Sequence, residues 1–284
     1  MKFLVTGANG RLGSKLVAVL SARGHAVIPA AHTDLDITDH GAVRAFVGSN
    51  RPDMIIHPAA WTDVDGCARD PQRADLINGF GTGNLASAAA HSGAGILYVS
   101  SNEVFDGSTR APYGEYDREN PINAYGASKW IGERMIRAIN PRHQIVRTAW
   151  LFAHGGKNFI QSILNAADAG KPLRVVINEI ANPTYTDDLA AGIAALLETE
   201  RYGTYHLVND GYCSRYAFAR YSLDRAGYTD TPIEKISSHE WQRPSQPPMF
   251  SPLKNTAAAA LGITLRDWHA AVDAFLEKEG LVRA

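Results

Sequence analysis

The chain has 284 residues, 45% of them hydrophobic and 20% charged, which is typical of a globular protein of one large or two modest domains. Lys plus Arg total 28 against 29 Asp plus Glu, and this balance gives no reason to expect a nucleic-acid partner. The sequence has no apolar run near the roughly 20 residues that cross a bilayer. Its two distant cysteines, Cys67 and Cys213, are typical of reduced thiols. We expect a cytoplasmic protein without a membrane partner or a metal site.

The first half of the chain alternates short β-rich runs with longer helical patterns. The predicted strands are Phe3–Thr6, Ala26–Pro29, Met54–His57, Ile96–Ser100 and Gln144–Arg147. The predicted helices are Leu12–Arg23, His40–Ser49, Gln72–His91 and Ala124–Ile139. This repetition predicts parallel strands joined by right-handed crossovers, and therefore an α/β fold with an open, doubly wound parallel sheet.

The alternation breaks after Arg147. The patterns there predict a helix, a strand, a second helix and a strand that returns to the main sheet, at Phe159–Ala169, Leu173–Ile177, Asp187–Glu198 and Thr204–Val208. The proline-rich remainder is expected to be irregular until a helix near Trp268–Lys278. We expect a larger domain of residues 1–147 plus about 187–208, and a smaller C-terminal domain of about 148–186 plus 209–284.

A glycine-rich segment follows the first predicted strand and opens the first helix. It reads Gly7-Ala8-Asn9-Gly10-Arg11-Leu12-Gly13, with the spacing G-x-x-G-x-x-G. Glycines permit a tight turn and a close backbone approach, and a helix N-terminus offers amide donors to pyrophosphate. The larger domain is therefore predicted to bind a dinucleotide through Gly7, Asn9, Gly10, Arg11, Leu12 and Gly13.

The choice between NAD and NADP depends on the end of the second strand. A carboxylate there would accept the ribose hydroxyls of NAD. The sequence at this point has no carboxylate before Asp34 and Asp36, and Arg11 in the loop can meet a 2′-phosphate. We favour NADP, with NAD as the alternative. By position in the fold, further cofactor contacts are expected from Asp36, Ile37, Ala59 and Ala60.

Three polar residues form the candidate catalytic set. Tyr125 and Lys129 are four residues apart on a predicted helix, so they lie on one face. An ammonium beside a phenol favours its ionised form and makes it a usable acid or base. Ser101 follows the fourth strand, at the sheet edge where ligands of such folds bind, and its hydroxyl can meet a carbonyl oxygen there. The expected chemistry is proton transfer to a substrate carbonyl.

At this point the chain resembles the extended short-chain dehydrogenase/reductase family of Rossmann-fold oxidoreductases. Within that family it looks like the dTDP-4-dehydrorhamnose reductases. The resemblance runs from residue 1 to about residue 268. The matching segments have the sequences LDIT at 35–38, AAWTDVD at 59–65, VFDG at 104–107, PINAYGASK at 121–129, RTAW at 147–150, GKNF at 156–159, PTY at 183–185 and RP at 243–244.

The resemblance implies roles for individual residues. Ser101 takes the family's catalytic Thr/Ser place, Tyr125 is its proton donor, and Lys129 is the partner of the tyrosine and binds the nicotinamide ribose. The smaller domain is implied to bind the substrate. The positions implied to contact a nucleotide-sugar are Thr62, Val64, Glu103, Trp150 and Arg243.

Three positions depart from the family pattern. Glu103 stands where the family has an aromatic residue near the sugar, and Gln246 alters the Arg-Pro-x-Asn-Ser segment. Some members carry a Glu on the first helix for a magnesium-linked dimer, but the residue here is Lys15, so no metal bridge is expected. A homodimer stays compatible with the sequence.

The leading hypothesis is NAD(P)H-dependent reduction of a 4-keto-6-deoxy nucleotide sugar. The resemblance implies dTDP-4-dehydrorhamnose as substrate, dTDP-L-rhamnose as product and a place in dTDP-rhamnose biosynthesis. Two alternatives stay open. One is another nucleotide-sugar reductase or epimerase, with Glu103 contacting a different hydroxyl pattern. The other is a non-catalytic, NADP-binding regulatory subunit resembling the β subunit of methionine adenosyltransferase.

Overall fold

The computed structural model describes residues 1–156 and 158–282; Lys157, within the matched segment 156–159, lies outside the described residues. The strands are β1 Lys2–Thr6, β2 Ala26–Ala30, β3 Met54–His57, β4 Gly95–Ser101, β5 His143–Thr148, β6 Leu151–Phe152, β7 Leu173–Val176, β8 Ile180–Ala181, β9 Thr184–Tyr185, β10 Gly203–His206, β11 Cys213–Ser214 and β12 Ile233–Ile236. The helices are α1 Arg11–Ala22, α2 His40–Asn50, α3 Val64–Arg69, α4 Pro71–Ala74, α5 Thr82–Ser92, α6 Ala124–Ile139, α7 Phe159–Asp168, α8 Thr186–Glu198, α9 Arg215–Arg225, α10 Thr256–Ala260 and α11 Trp268–Lys278.

Within these ranges, six strands form the main sheet in the order β10–β5–β4–β3–β1–β2. Every neighbouring pair is parallel. The chain order reverses direction between β1 and β3, and a crevice therefore opens at their carboxyl ends. The predicted doubly wound parallel sheet is confirmed, and so is the predicted return of a late strand, because β10 pairs with β5.

Helices cover both faces of this sheet. On one face, Val5, Leu97 and Val146 pack with side chains of α1 and α8 such as Leu16 and Ile193. The opposite face, which includes Tyr98, packs with α2, α5 and α6. Because both faces are buried, the central strand β4 is buried along its whole length. Its polar end at Ser101 is therefore held by a rigid element.

The C-terminal part has a core of its own. Phe152, Phe218, Trp268 and Phe275 pack there with residues of α7, β7 and β9. The expectation of an irregular stretch before the last helix was wrong, since this stretch contains α9 and β12. Helix α9 has Ser214 as its N-cap, and β12 pairs with the distant strand β7. Long-range packing therefore makes regular elements from weakly patterned sequence.

The helix predicted for Gln72–His91 is not uniform. It consists of α4, a π-helical segment at Asp75–Gly81 and α5. A π turn rotates the residues that follow it relative to an α-helix, and such turns occur often at functional sites. Here the turn carries the buried Asn78 towards the carboxyl edge of the sheet.

Candidate active site

The glycine loop is held in place by close backbone contacts. Gly7 has φ +58°, and its carbonyl accepts a hydrogen bond from the Gly10 amide at 2.8 Å. A Cβ atom at Gly13 would lie 2.1 Å from the Gly7 carbonyl oxygen, and one at Gly7 would lie 3.0 Å from Ala59 Cα. These positions therefore require glycine, and they set the start of α1 directly against the residues that follow β3.

The start of α1 suits an anion. Its N-cap is Gly10, and within the described residues no side-chain oxygen caps the helix. Backbone amides at a helix N-terminus can donate to an anion, and the positive end of the helix dipole points to the same place. A pyrophosphate fits this site. We call Gly7, Gly10, Gly13 and Ala59 the glycine-loop side of the site.

The residues after β2 are engaged in local turns. The Asp34 carboxylate accepts a hydrogen bond from the Ala31 amide at 2.8 Å. Asp36 accepts from both the amide and the hydroxyl of Thr38, and the backbone bond is the first cause of its lowered pKa. Both carboxylates therefore serve turns within their own segment. Ile37 is a core residue, buried beside Gly81.

Asn78 holds the loop after β3. Its side-chain oxygen accepts from the Trp61 amide at 2.8 Å, and its amide group donates to the Trp61 carbonyl and to Ser128 Oγ. One buried side chain thus ties the segment containing Ala59 and Ala60 to α6. The sequence prediction missed this residue, because the pattern of Gln72–His91 carries no sign of the π turn that aims it.

Ser101 and Tyr125 are brought together as predicted. Ser101 ends β4, and its hydroxyl lies close enough to the Tyr125 phenol to act on the pKa of that phenol, in the lowering direction. The approach of the two elements depends on Gly126, where a Cβ atom would lie 2.0 Å from the Glu103 carbonyl oxygen. Asn123 caps α6 by accepting from the Gly126 amide at 2.8 Å. These contacts fix the phenol at the carboxyl edge of the sheet.

The contacts of Lys129 differ from the prediction. Its Nζ donates to the Val99 carbonyl at 2.8 Å and lies 4.1 Å from the centre of the Tyr98 ring. Burial lowers the pKa of Lys129 to about 7. Burial, followed by the charge of Glu103, raises the pKa of Tyr125. The sequence predicted that Lys129 lowers the pKa of the Tyr125 phenol. In the described structure that pKa is raised instead, and the buried amine of Lys129 donates to a backbone carbonyl.

A second group of residues, which we call the charged side, consists of five charged side chains and the amide of Asn123: Asp65, Glu103, Asn123, Glu179, Arg215 and Arg243. Asn123 Nδ2 donates to Glu103 Oε2 at 2.7 Å. Arg215 Nε donates to the buried Glu179 at 3.4 Å, and Arg243 Nε donates to Asp65 at 2.9 Å. The last pair joins α3 to a segment 178 residues later.

The electrostatics of the charged side centre on Glu103. Burial raises the pKa of this carboxyl, while the Asn123 bond, Arg215 and Arg243 act in the opposite direction. The Arg215 guanidinium lies 3.7 Å from the centre of the Trp150 ring, and burial lowers its pKa. Trp150 itself has φ +40°, a strained conformation for a non-glycine residue, and such strain is common at binding sites.

The other residues predicted to contact the nucleotide-sugar are Thr62, Val64 and Arg243. Thr62 is exposed on the loop after β3, and Val64 begins α3 behind the N-cap Asp63. Arg243 joins Glu103 on the charged side. The prediction missed Asn123, Glu179 and Arg215; only Asn123 had a signal, as an Asn preceding a predicted helix.

Four findings concern metal sites, disulfides and membrane-spanning helices. Among residues 1–156 and 158–282, no group of three or more His, Cys, Asp or Glu is arranged to hold a metal ion. Lys15 instead pairs with Asp187 at 2.7 Å. Cys67 and Cys213 are free and buried. Within the described ranges, no helix has the length and apolar character that crossing a membrane requires.

The sheet order, the glycine loop and the hydroxyl pair at the sheet edge place the chain in the class of extended short-chain dehydrogenase/reductases. Its residues 1–280 match the model of the RmlD substrate binding domain, and the chain belongs to that family.

Named relatives span nearly the whole chain. The spore coat polysaccharide biosynthesis protein SpsK of Bacillus subtilis is 36% identical, over 98% of this chain and 97% of that protein. The dTDP-4-dehydrorhamnose reductase of Mycolicibacterium smegmatis is 34% identical, over 95% of this chain and 84% of that protein. A crystal structure of the Bacillus anthracis dTDP-4-dehydrorhamnose reductase in complex with NADP is 33% identical, with a TM-score of 0.94 over 98% of this chain and 99% of that one.

Proposed function

We propose that this protein is an NADPH-dependent oxidoreductase that reduces the 4-keto group of dTDP-4-dehydrorhamnose, giving dTDP-L-rhamnose. The observation that carries the proposal is the placing of the Ser101 hydroxyl next to the Tyr125 phenol at the sheet edge, beside a glycine loop suited to pyrophosphate. The names of relatives that span the chain support the choice of substrate. The chemistry is carbonyl reduction with proton transfer from the protein.

When bound, NADPH supplies the hydride for the keto carbon. Tyr125 gives its phenolic proton to the developing alkoxide, and its raised pKa keeps that proton in place until the reaction. Ser101 donates a hydrogen bond to the same oxygen and stabilises its charge. Lys129, whose Nζ donates to the Val99 carbonyl, is assigned to the nicotinamide ribose.

The cofactor residues are those of the glycine-loop side and its neighbours. We assign binding of NADPH to Gly7, Asn9, Gly10, Arg11, Leu12, Gly13, Asp36, Ile37, Ala59, Ala60, Tyr125 and Lys129. The two carboxylates after β2 bond their own turns, so neither is poised to accept the 2′-hydroxyl of NADH. This arrangement favours the phosphorylated cofactor.

The sugar residues lie on the opposite wall. We assign contact with the nucleotide-sugar to Thr62, Val64, Glu103, Trp150 and Arg243. Residues 1–147 plus about 187–208 then form the dinucleotide-binding domain, and about 148–186 plus 209–284 form the substrate domain. The two free cysteines support a cytoplasmic location.

The test follows NADPH oxidation by the purified chain in the presence of dTDP-4-dehydrorhamnose. We expect turnover with NADPH and a lower kcat/KM with NADH. Turnover only with a different keto-sugar nucleotide would favour the other reductase or epimerase class. Cofactor binding without turnover on any member of such a panel would favour the regulatory-subunit alternative and contradict the proposal.

A further inference from the structure

Glu103 follows Ser101 by two residues, and its backbone contacts both Ser101 and the start of α6. Its backbone amide donates to Ser101 Oγ at 3.1 Å, and its carbonyl packs against Gly126 in the first turn of α6. Its charge is the second cause of the raised pKa of Tyr125. The backbone of Glu103 is therefore fixed against Ser101 and against Gly126, the residue after Tyr125.

The hydrogen bonding of this carboxylate is incomplete. Asn123 is its one hydrogen-bond donor among the described residues, and it bonds Oε2. A carboxylate has about four acceptor sites, and Glu103 is half-buried, so unused sites cost free energy once a bound ligand displaces water from them. Arg215 and Arg243 act on Glu103 through their charges, but their Nε donors are bonded to Glu179 and Asp65. Oε1 is thus left for a donor that comes with the ligand.

The groups next to the keto carbon limit which part of the ligand can be this donor. If Ser101 and Tyr125 hold the keto oxygen at C4, the ring atoms next to the reacting carbon are C3, which carries a hydroxyl, and C5, which carries the methyl group. A methyl group that displaced water from this half-buried carboxylate would leave the oxygen unbonded. A hydroxyl satisfies it with a charge-assisted hydrogen bond.

We propose that Glu103 is a specificity-determining residue, whose Oε1 accepts a hydrogen bond from the hydroxyl next to the keto carbon of the sugar. The enzyme consequently selects 3-hydroxy over 3-deoxy 4-keto sugars. This inference rests on the proposed function. Asn123 keeps the carboxylate turned towards that hydroxyl, and the charges of the two arginines favour its ionised form.

The test compares kcat/KM, at saturating NADPH, for dTDP-4-dehydrorhamnose and its 3-deoxy analogue. The full chain is used in four forms: wild type, Glu103→Leu, Glu103→Gln and Glu234→Gln. Glu234 is an exposed partner of Arg174 on the β7–β12 pair, so its variant is the matched control. A ratio of two substrates on one preparation is independent of the fraction of folded enzyme.

We expect the wild type and Glu234→Gln to prefer the 3-hydroxy substrate by about 100-fold, the size of a hydrogen bond to a charged group. Glu103→Leu should lower the ratio to about threefold. Glu103→Gln, which keeps an acceptor for Asn123, should fall between the two. An active wild type without preference, or an unchanged ratio in Glu103→Leu, would overturn this inference alone. A wild type inactive on both sugars overturns the proposed function with it.

Discussion

The two walls of the site are built on different principles. On the glycine-loop side, a Cβ atom at Gly13 would lie 2.1 Å from the Gly7 carbonyl oxygen, and one at Gly7 would lie 3.0 Å from Ala59 Cα in the neighbouring strand–helix turn. On the charged side, carboxylates and guanidinium groups from separate segments meet, and the Arg243–Asp65 pair spans 178 residues. The first wall recognises a constant group through its shape. The second depends on side chains that can change one at a time, so it is the wall on which substrate choice can vary.

The largest expected effect is on the chemical step, and it should leave the binding by both walls nearly unchanged. Tyr125→Phe removes the proton donor but keeps the ring and its packing. We expect kcat to fall by about 10³-fold, the usual contribution of a positioned general acid. The dissociation constant of NADPH, measured by fluorescence titration, should change by less than about threefold, since one hydrogen bond is lost. A kcat close to that of the wild type would contradict the assignment of the donor.

The next effect is confined to the glycine-loop side. Gly13→Ala places a methyl group against the Gly7 carbonyl, and we expect a loss of about 3 kcal/mol in the free energy of unfolding, with weaker NADPH binding. The matched control is Gly48→Ala in α2, where the added atom has no neighbour within 4 Å. Higher helix propensity should make the control more stable by up to about 1 kcal/mol. Equal stability of the two variants in urea unfolding would refute the close-approach argument.

The smallest expected effect concerns two buried histidines, one behind each wall of the site. His57 joins Thr6 to Thr82 behind the glycine loop, and His206 packs edge-on against Phe105, two residues after Glu103. Burial lowers the pKa of both histidines to about 3. Each is charged in the unfolded chain below about pH 6.5 but neutral in the native state, so stability is lost as the pH falls from 6.5 towards 3.

At pH 5 the expected loss is about 2 kcal/mol for each histidine. His206→Gln should therefore reduce the difference in unfolding free energy between pH 7 and pH 5 by about that amount. Urea titrations at the two pH values measure it, and the exposed His91→Gln is the control. The same pH difference in all three proteins would show that His206 does not contribute.

The sequence was sufficient to predict the structural features that depend on residues close to one another in the chain. The strand–glycine–helix turn, the alternation of strands and helices, and the end of β4 at Ser101 are local patterns, and the sheet they predict is confirmed. It was insufficient for α9 and β12, because β12 is defined by pairing with a strand about 60 residues earlier. Arg215 and Glu179 were missed for the same reason, since only the tertiary fold brings them to Glu103.

The sequence could have predicted Asn123 as a helix cap, but it could not have predicted the hydrogen bond from Asn123 to Glu103. The contact of Lys129 was predicted from helical spacing alone. Spacing gives the shared face, but a flexible four-carbon side chain chooses its acceptor from the surroundings, here the Val99 carbonyl.

The side chain of Asn123 has a consequence for any redesign of this enzyme. Its oxygen starts the helix that carries Tyr125, and its nitrogen bonds both Glu103 and the Gln246 carbonyl. Selectivity and proton delivery therefore share one amide. A non-accepting residue at position 103 would remove the carboxylate partner of that nitrogen, and the amide that caps α6 would then be held by one hydrogen bond fewer. Retargeting the enzyme to another sugar is thus a two-site problem, in which positions 103 and 123 have to be varied together.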